Sequence, residues 1–157
     1  PRYVSIYSGK QKMIGLIQRV SRASVTVESK VIGEIDQGIL LLLGVEKSDG
    51  DDEIEKLANK VSRYRMFADS DGKMNLNVEQ VGGKILVVSQ FTLVADTQKG
   101  NRPGFSQGAT PEHGKEVYLK FVEALQAKGL AVETGEFGAD MQVALVNDGP
   151  VTFHFKV

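Results

Sequence analysis

The chain has 157 residues, of which 41% are hydrophobic and 25% charged, and it contains no cysteine and two histidines. This composition is typical of one globular domain that is large enough to bury its own core. The missing cysteines exclude disulfide frameworks, thiol nucleophiles and thiolate zinc sites, and two histidines disfavour a histidine-rich metal centre. The longest apolar run, Ile39 to Leu43, is far too short to cross a bilayer, so we expect a cytoplasmic protein with no membrane partner.

Residues 1–12 precede Met13, where a strand-like pattern begins, and they lack the apolar segment of a signal peptide. We expect them to be added or upstream residues outside the fold, and we assign residues 13–157 to a single domain. Without the three basic residues of this segment, 16 basic residues face 20 acidic ones, a net charge of −4. That balance excludes a broad cationic surface but permits a local basic patch for the end of a nucleic acid.

Short apolar segments open the domain, and polar or glycine-containing turns separate them, which predicts a β-meander. These segments are 14–20, 24–27, 31–35 and 39–45. The last one contains five consecutive apolar residues without alternation. Such a run is typical of a strand covered on both faces, with a buried helical turn as the alternative.

Two one-sided helices are predicted next. In the first, apolar residues recur at helical spacing from Ile54 to Tyr64, with acidic residues in the first turn and basic residues in the last, as suits the helix dipole. The second begins with Thr110 as N-cap and Pro111 at the first helical position, and it ends at Gly129. Because each helix has one apolar face, we expect both to pack on a sheet.

Further strands lie between and after the helices. A buried strand, 85–88, is followed by a long polar loop, 95–109, and loops of this length are usually functional or mobile. Near the C terminus a strand at 141–146, a turn at 147–150 and an alternating strand from Val151 onward are predicted. Many short strands with short connections indicate an α+β fold with a mostly antiparallel sheet.

Two hydroxyl groups, those of Ser89 and Thr92, stand at the end of the buried strand without a G-x-S-x-G elbow around either. A catalytic triad would need His113 or His154 as its base, the first at a helix start and the second on the polar face of the last strand. Hydroxyls that only satisfy local hydrogen bonds are therefore the preferred interpretation.

Metals and nucleotide cofactors receive no support from the sequence. Asp69 to Lys73 resembles a calcium loop only superficially, because its glycine comes too early, and a tight turn is the better interpretation. The acidic run from Asp49 to Glu53 is typical of a solvated helix N-terminus. The Gly149-Pro150 bond could be cis in a tight turn, although trans is the commoner isomer.

Two stretches, SQFTL at Ser89–Leu93 and NDGPVT at Asn147–Thr152, resemble the two sequence motifs of the D-aminoacyl-tRNA deacylase family. The similarity extends to Ile17–Val20 and Gly100–Pro103 and covers residues 13–157. It implies a homodimeric, barrel-like α+β fold with two packed helices and no metal or cofactor. It also implies hydrolysis of the ester between a D-amino acid and the 3′ end of tRNA, with glycine as a second substrate and L-aminoacyl-tRNA excluded.

The resemblance also implies a role for each motif. The pocket floor would consist of Ser89, Gln90, Phe91 and Thr92, whose backbone N–H groups can hold the carbonyl oxygen. Such donors make a strong side-chain base unnecessary, and the ribose 2′-OH of the tRNA would help to activate water. Thr92 as a covalent nucleophile remains the alternative, which requires a base within reach.

The second motif implies a device for chirality. Gly149-Pro150 is expected to be cis and to enter the pocket of the partner subunit, with Arg19 fixing its orientation and Met141 lining the same pocket. Rigid carbonyl groups that grip the α-ammonium would exclude an L side chain and admit a D side chain or glycine.

Two other function classes remain open. One is a serine or threonine esterase that acts on small esters without RNA, and the other is a non-catalytic dimeric module that binds the tRNA end. Neither accounts for the paired motifs. Lys99, Arg102 and Arg22 are candidates for contacts with tRNA phosphates, because they are basic residues in predicted loops.

Overall fold

One long strand organises the first part of the chain. In the computed structural model, which describes residues 12–157, β1 (Ile14–Val27) is followed by β2 (Lys30–Ile35) and β3 (Gly38–Gly44). The first two predicted segments are therefore one continuous strand. Glu28 and Ser29, both at positive φ, make the tight turn to β2.

The remaining elements follow in chain order. They are α1 (Asp51–Arg63), β4 (Phe67–Ala68), β5 (Met74–Leu76), β6 (Lys84–Ser89), a 3-10 turn (Phe91–Val94), α2 (Pro111–Ala127), β7 (Val132–Thr134) and β8 (Gln142–Lys156). Both predicted helices are present, and the Thr110 hydroxyl caps α2 by accepting from the N–H of His113. We expected residues 1–12 to lie outside the fold. Residues 1–11 are not among the described residues, and the N–H of Lys12 donates to the carbonyl of Val157. In the described part, no helix is both long enough and apolar enough to cross a membrane.

The sheet is mixed, so the expectation of a mostly antiparallel sheet is wrong. Its order is β2-β1-β3-β6-β7, and β8 pairs with the other edge of β1. The pairs of β1 are antiparallel, but β3–β6 and β6–β7 are parallel. The reason is that α1 and α2 lie in the two connections, and a long crossover returns the chain in the same direction.

The sheet curls into a nearly closed barrel. Its two ends approach where Gly33 of β2 leaves room for the backbone carbonyl of Thr134 on β7, since a β-carbon at residue 33 would overlap that oxygen. The α+β barrel with two helices is thus the observed architecture.

Apolar side chains form two clusters, one inside the barrel and one between the sheet and the helices. β3 contributes to both, since Ile39, Leu41 and Leu43 face the helices while Leu40 faces the barrel interior. This confirms the prediction of a strand covered on both faces. Each such buried side chain contributes roughly 1.5–3 kcal/mol to the free energy of unfolding.

The register of the strands brings four strand ends to one rim of the barrel. Ile14 lies opposite Gly44 on one side and opposite Lys156 on the other, and Leu43 lies opposite Ser89. The start of β1 and the ends of β3, β6 and β8 therefore meet at this rim.

The C-terminal part contains no hairpin, and the predicted turn at 147–150 is wrong. β8 runs along β1 on both sides of this segment, with Asn147 opposite Val20 and Thr152 opposite Gln18. Four residues of β8 therefore face the single residue Arg19, which makes the segment a bulge rather than a turn.

Candidate active site

A cleft of about 400 Å³ opens beside the end of β6. Its walls come from the 3-10 turn, the long loop, the start of α2 and the segment before β8, and they include Ser89, Phe91, Phe105 and Met141. The size lies in the range of small-molecule sites. Of the predicted site residues, the cleft thus brings together Ser89, Phe91 and Met141.

The long loop supplies an aromatic wall for this cleft. Its base is closed because Asp96 and Gly104 exchange two backbone hydrogen bonds of 2.7 and 2.9 Å. The ring of Phe105 then packs against the ring of Phe91 with centroids 5.2 Å apart, although both side chains are exposed. Exposed aromatic faces of this kind bind planar and apolar groups.

The backbone of the SQFTL segment offers fewer free donors than we expected. The N–H of Gln90 donates to the carbonyl of Leu43 over 2.8 Å, which extends the β3–β6 pairing by one residue. The expectation that this N–H holds a substrate oxygen is therefore wrong. Phe91 and Thr92 begin the 3-10 turn, and the first N–H groups of such a turn have no partner within it.

Among the described residues, no side-chain base is hydrogen-bonded to the hydroxyl of Thr92. It accepts a hydrogen bond of 2.5 Å from the side-chain amide of Gln90, and an amide NH₂ group cannot take up a proton. The described residues that line the cleft include neither Thr92 nor Gln90. The geometry therefore does not support a nucleophilic threonine.

Neither histidine completes a triad. The Nε2 atom of His113 lies 2.8 Å from the backbone carbonyl of Asp49, and because a carbonyl only accepts, this nitrogen donates. His154 is exposed on β8 and lines a different cavity. In residues 12–157, no group of three or more histidine and acidic side chains could hold a metal ion.

Hydrogen bonds from the side chain of Arg19 hold the Gly149-Pro150 bulge in place. The Arg19 guanidinium donates from Nε to the carbonyl of Asp148 and from Nη1 to the carbonyl of Met66, each over 2.9 Å. The Gly149-Pro150 peptide bond is cis, and both residues are exposed. Arg19 and the bulge thus come together, as expected.

The sequence of the bulge fits its backbone. The side-chain oxygen of Asn147 accepts from the N–H of Val151 over 2.7 Å, which closes the bulge on itself. Gly149 has φ +145, and a β-carbon there would lie 2.6 Å from Cγ2 of Val151. Gly149 and Pro150 are not among the residues that line the cleft of their own chain.

Asp49 is a buried carboxylate that sequence reasoning missed, since we interpreted it as part of a solvated acidic run. Its side chain is 2% exposed, one oxygen accepts from the N–H of Glu46 over 2.7 Å, and the other has no partner among the described residues. Burial raises the pKa of Asp49 from 3.8 to about 6. Glu46 in turn pairs with Gly108 in the cleft wall, so Asp49 supports that wall.

Comparisons with known proteins agree with this fold. The family model for D-Tyr-tRNA(Tyr) deacylase matches residues 16–156. The D-aminoacyl-tRNA deacylase of Alteromonas mediterranea is 81% identical over 92% of this chain and 100% of its own length. That of Pseudoalteromonas atlantica is 66% identical over the same shares of the two chains. A solved structure described as c-Myc DNA Unwinding Element Binding Protein is 39% identical, has a TM-score of 0.87, and covers 92% of this chain and 98% of its own.

The family match and these relatives show that the nearly closed α+β barrel is an enzyme of the hydrolase class. The chain belongs to the D-Tyr-tRNA(Tyr) deacylase family. The resemblance carried by the SQFTL and NDGPVT stretches is thereby confirmed.

The buried carboxyl of Asp49 predicts a pH dependence of stability. Because the pKa of Asp49 is higher in the folded than in the unfolded state, its protonated form favours folding, and this contribution is lost as the pH rises through about 6. The quantity to compare is the free energy of unfolding of the Asp49→Asn variant minus that of the parent protein. We expect this difference to rise by up to about 3 kcal/mol from pH 3.5 to pH 7. Urea unfolding of both proteins at the two pH values measures this gain.

Asp52→Asn, which removes an exposed carboxyl from the first turn of α1, is the matched control for the loss of one charge. If the difference in unfolding free energy between the Asp49→Asn variant and the parent protein stays constant with pH, the raised pKa of Asp49 is contradicted.

Proposed function

We propose that this chain hydrolyses the ester bond of D-aminoacyl-tRNA, releasing free tRNA and the D-amino acid. It also removes glycine from mischarged tRNA and spares L-aminoacyl-tRNA. One observation carries the proposal: the SQFTL segment contributes Ser89 and Phe91 to the wall of a cleft, in a chain of the deacylase family. The cleft of about 400 Å³ has room for an aminoacyl group and part of a terminal nucleoside.

The reaction needs oxyanion donors more than it needs a side-chain base. Water attacks the ester carbonyl carbon, a new C–O bond forms, and the negative charge moves to the carbonyl oxygen. The N–H of Phe91, the residue of the 3-10 turn that lines the cleft, stabilises this oxyanion, and such a donor contributes about 3 to 4 kcal/mol. The bond to the ribose 3′ oxygen then breaks, and that oxygen takes up the proton that the attacking water releases.

The substrate itself helps to activate the attacking water. The ribose 2′-OH next to the ester assists the attacking water, because no histidine or carboxylate is among the described residues that line the cleft. The exposed rings of Phe91 and Phe105 offer an apolar wall beside the carbonyl-holding segment. This division of labour between RNA and protein fits a cleft without a titratable side chain.

Chirality is read by the backbone of the bulge. The carbonyl groups of Gly149 and Pro150 accept from the α-ammonium group of the substrate and occupy the space into which an L side chain would point. A D side chain points away, and glycine has none. Rigidity makes this exclusion effective, and Arg19 and Asn147 supply it through the hydrogen bonds given above.

The enzyme acts as a homodimer whose sites are shared between subunits. Among the described residues, β8 pairs only with β1, so the other edge of a 15-residue strand lacks a partner strand. Edges of this length are normally covered. A second copy that pairs, by a two-fold axis, with the part of this edge before the bulge would leave residues 154–157 open. It would bring each Gly149-Pro150 bulge toward the cleft of its partner, and the bulge does not line its own.

The experiment that tests this function is release of tyrosine from D-tyrosyl-tRNA and L-tyrosyl-tRNA at matched enzyme and salt. We expect rapid loss of the D ester and persistence of the L ester at the uncatalysed rate. Equal loss of both would indicate a general esterase. Loss of neither, with retained binding of the tRNA end, would indicate a binding module, and either outcome contradicts the proposal.

The oxyanion mechanism also predicts the behaviour of a threonine variant. Thr92→Ala keeps the backbone N–H and removes only a hydroxyl that accepts from Gln90. We therefore expect kcat for D-tyrosyl-tRNA to remain within about tenfold of the parent value, whereas loss of a covalent nucleophile costs several orders of magnitude. Single-turnover kinetics measure the step directly. A folded Thr92→Ala protein without activity would favour the nucleophile.

A further inference from the structure

A second cavity lies on the same rim of the barrel as the cleft. It has a volume of about 530 Å³ and lies between α1 and the last residues of β8. The residues that line it are Lys56, Lys60, His154, Phe155, Lys156 and Val157. Four of these six carry basic side chains, in a chain whose net charge is −1. We call it the basic groove, and its described lining shares no residue with that of the cleft.

The charges of α1 are sorted between its faces. Asp51 and Glu55, one turn apart, bind the lysines of α2 and its C-cap, with Nζ–O distances of 3.4 Å from Lys120 and 3.0 Å from Lys128. Lys56 and Lys60, also one turn apart, lie instead on the side of β8. Among the described residues, no carboxylate lies within 4 Å of either ammonium group. Within the described residues, neither ammonium group is therefore neutralised by an ion pair.

Two aromatic rings, of which only that of Phe155 belongs to the groove lining, position one of these charges. The Nζ atom of Lys60 lies 5.4 Å from the ring centroid of Tyr64 and 5.7 Å from that of Phe155. The two rings pack edge to face, with centroids 4.7 Å apart. A cation over two ring faces is held in place without being neutralised. A fixed, unneutralised ammonium group is suited to an anionic ligand.

The distance from the groove to the cleft follows from the strand register. Lys156 lies opposite Ile14, Ile14 lies opposite Gly44, and the neighbouring Leu43 lies opposite Ser89. Three steps between strands, at about 4.8 Å each, separate the backbone of Lys156 from that of Ser89 by roughly 14 Å. A single RNA strand whose terminal ester is in the cleft can cover this distance with its next two or three nucleotides.

We propose that the basic groove binds the phosphate groups of the single-stranded RNA that immediately precedes the terminal ester. This inference rests on the proposed function, and it assigns phosphate contacts to Lys56, Lys60 and Lys156. Glu46 interacts with Lys156, and three lysines against this carboxylate leave the groove cationic. Binding at the groove directs the 3′ end along the rim and into the cleft.

The test compares two substrates of different length. D-Tyrosyl-tRNA carries the upstream phosphates, and D-tyrosyl-adenosine carries the ester without them. The triple variant Lys56→Gln, Lys60→Gln, Lys156→Gln is measured against a control with the same change of charge at exposed positions away from the groove and the cleft, Lys30→Gln, Lys73→Gln, Lys84→Gln. kcat and KM are determined for both substrates at several salt concentrations.

We expect the groove variant to raise KM for D-tyrosyl-tRNA roughly tenfold at physiological salt, with kcat unchanged, and to leave D-tyrosyl-adenosine unaffected. The slope of log kcat/KM against log salt should become shallower by about 2, since each single-strand phosphate contact contributes about 0.7. Equal effects in the groove and control variants would overturn the proposal. Loss of activity on both substrates would also overturn it, because the lysines would then support the cleft.

Failure of the proposed function can be distinguished from failure of the groove. If the parent protein hydrolyses neither substrate, the deacylase function is contradicted, and the groove is then tested by binding of uncharged tRNA, measured by fluorescence anisotropy. Weaker binding and a shallower salt slope for the groove variant than for the control would support the groove. Identical binding would overturn it.

Discussion

The pairing of β1 with three neighbouring strands is the constraint on which the rest of the structure depends. Over 14 residues, one edge of β1 pairs first with β3 and then with β2, while the other edge pairs with β8. Because side chains alternate along a strand, a slip of one residue would turn buried residues such as Ile17 and Val25 to the wrong face. The same register places Arg19 alone opposite the bulge that carries Gly149-Pro150, and it brings the strand ends to one rim.

The site then needs little from individual titrating groups. Parallel strands β3 and β6 end side by side, and the chain leaves β6 in a 3-10 turn whose first N–H groups face no internal acceptor. Apart from Ser89, the polar side chains of the SQFTL segment are used locally, as in the Gln90–Thr92 hydrogen bond, and do not line the cleft. In the proposed mechanism, the backbone and the substrate therefore supply the chemistry. The buried carboxyl of Asp49 supports the cleft wall at some cost in stability.

Local patterns in the sequence predicted those elements that depend only on residues close together in the chain. Helical spacing and the Thr110-Pro111 start located the two helices, and the unbroken apolar run located β3 as a strand covered on both faces. Strand direction depends on what lies in each connection, so the parallel pairs were missed. Residues 148–151 form a bulge where a hairpin turn at 147–150 is predicted, because a Gly-Pro pair has the same local chemistry in both.

Contacts between distant residues were beyond the sequence. The residues near Gln90 in the sequence do not reveal that the N–H of Gln90 donates to the carbonyl of Leu43. Lys56 and Lys156 line the same groove only because α1 packs beside the end of β8. The family resemblance, by contrast, identified both motifs, since it depends on matched residues rather than on contacts. The structure adds that Ser89, Phe91 and Met141 share a cleft from which the Gly149-Pro150 bulge of the same chain is absent.

The proposed function depends most on a site shared between two copies of the chain, and a purified heterodimer tests this directly. One subunit carries Ala139→Trp, which obstructs the cleft, and the other carries Gly149→Val, which displaces the bulge. Each homodimer should be inactive on D-tyrosyl-tRNA. In the heterodimer, one site combines the intact cleft with the intact bulge, so we predict about half of the parent activity per dimer. A heterodimer as inactive as both homodimers would contradict the shared site.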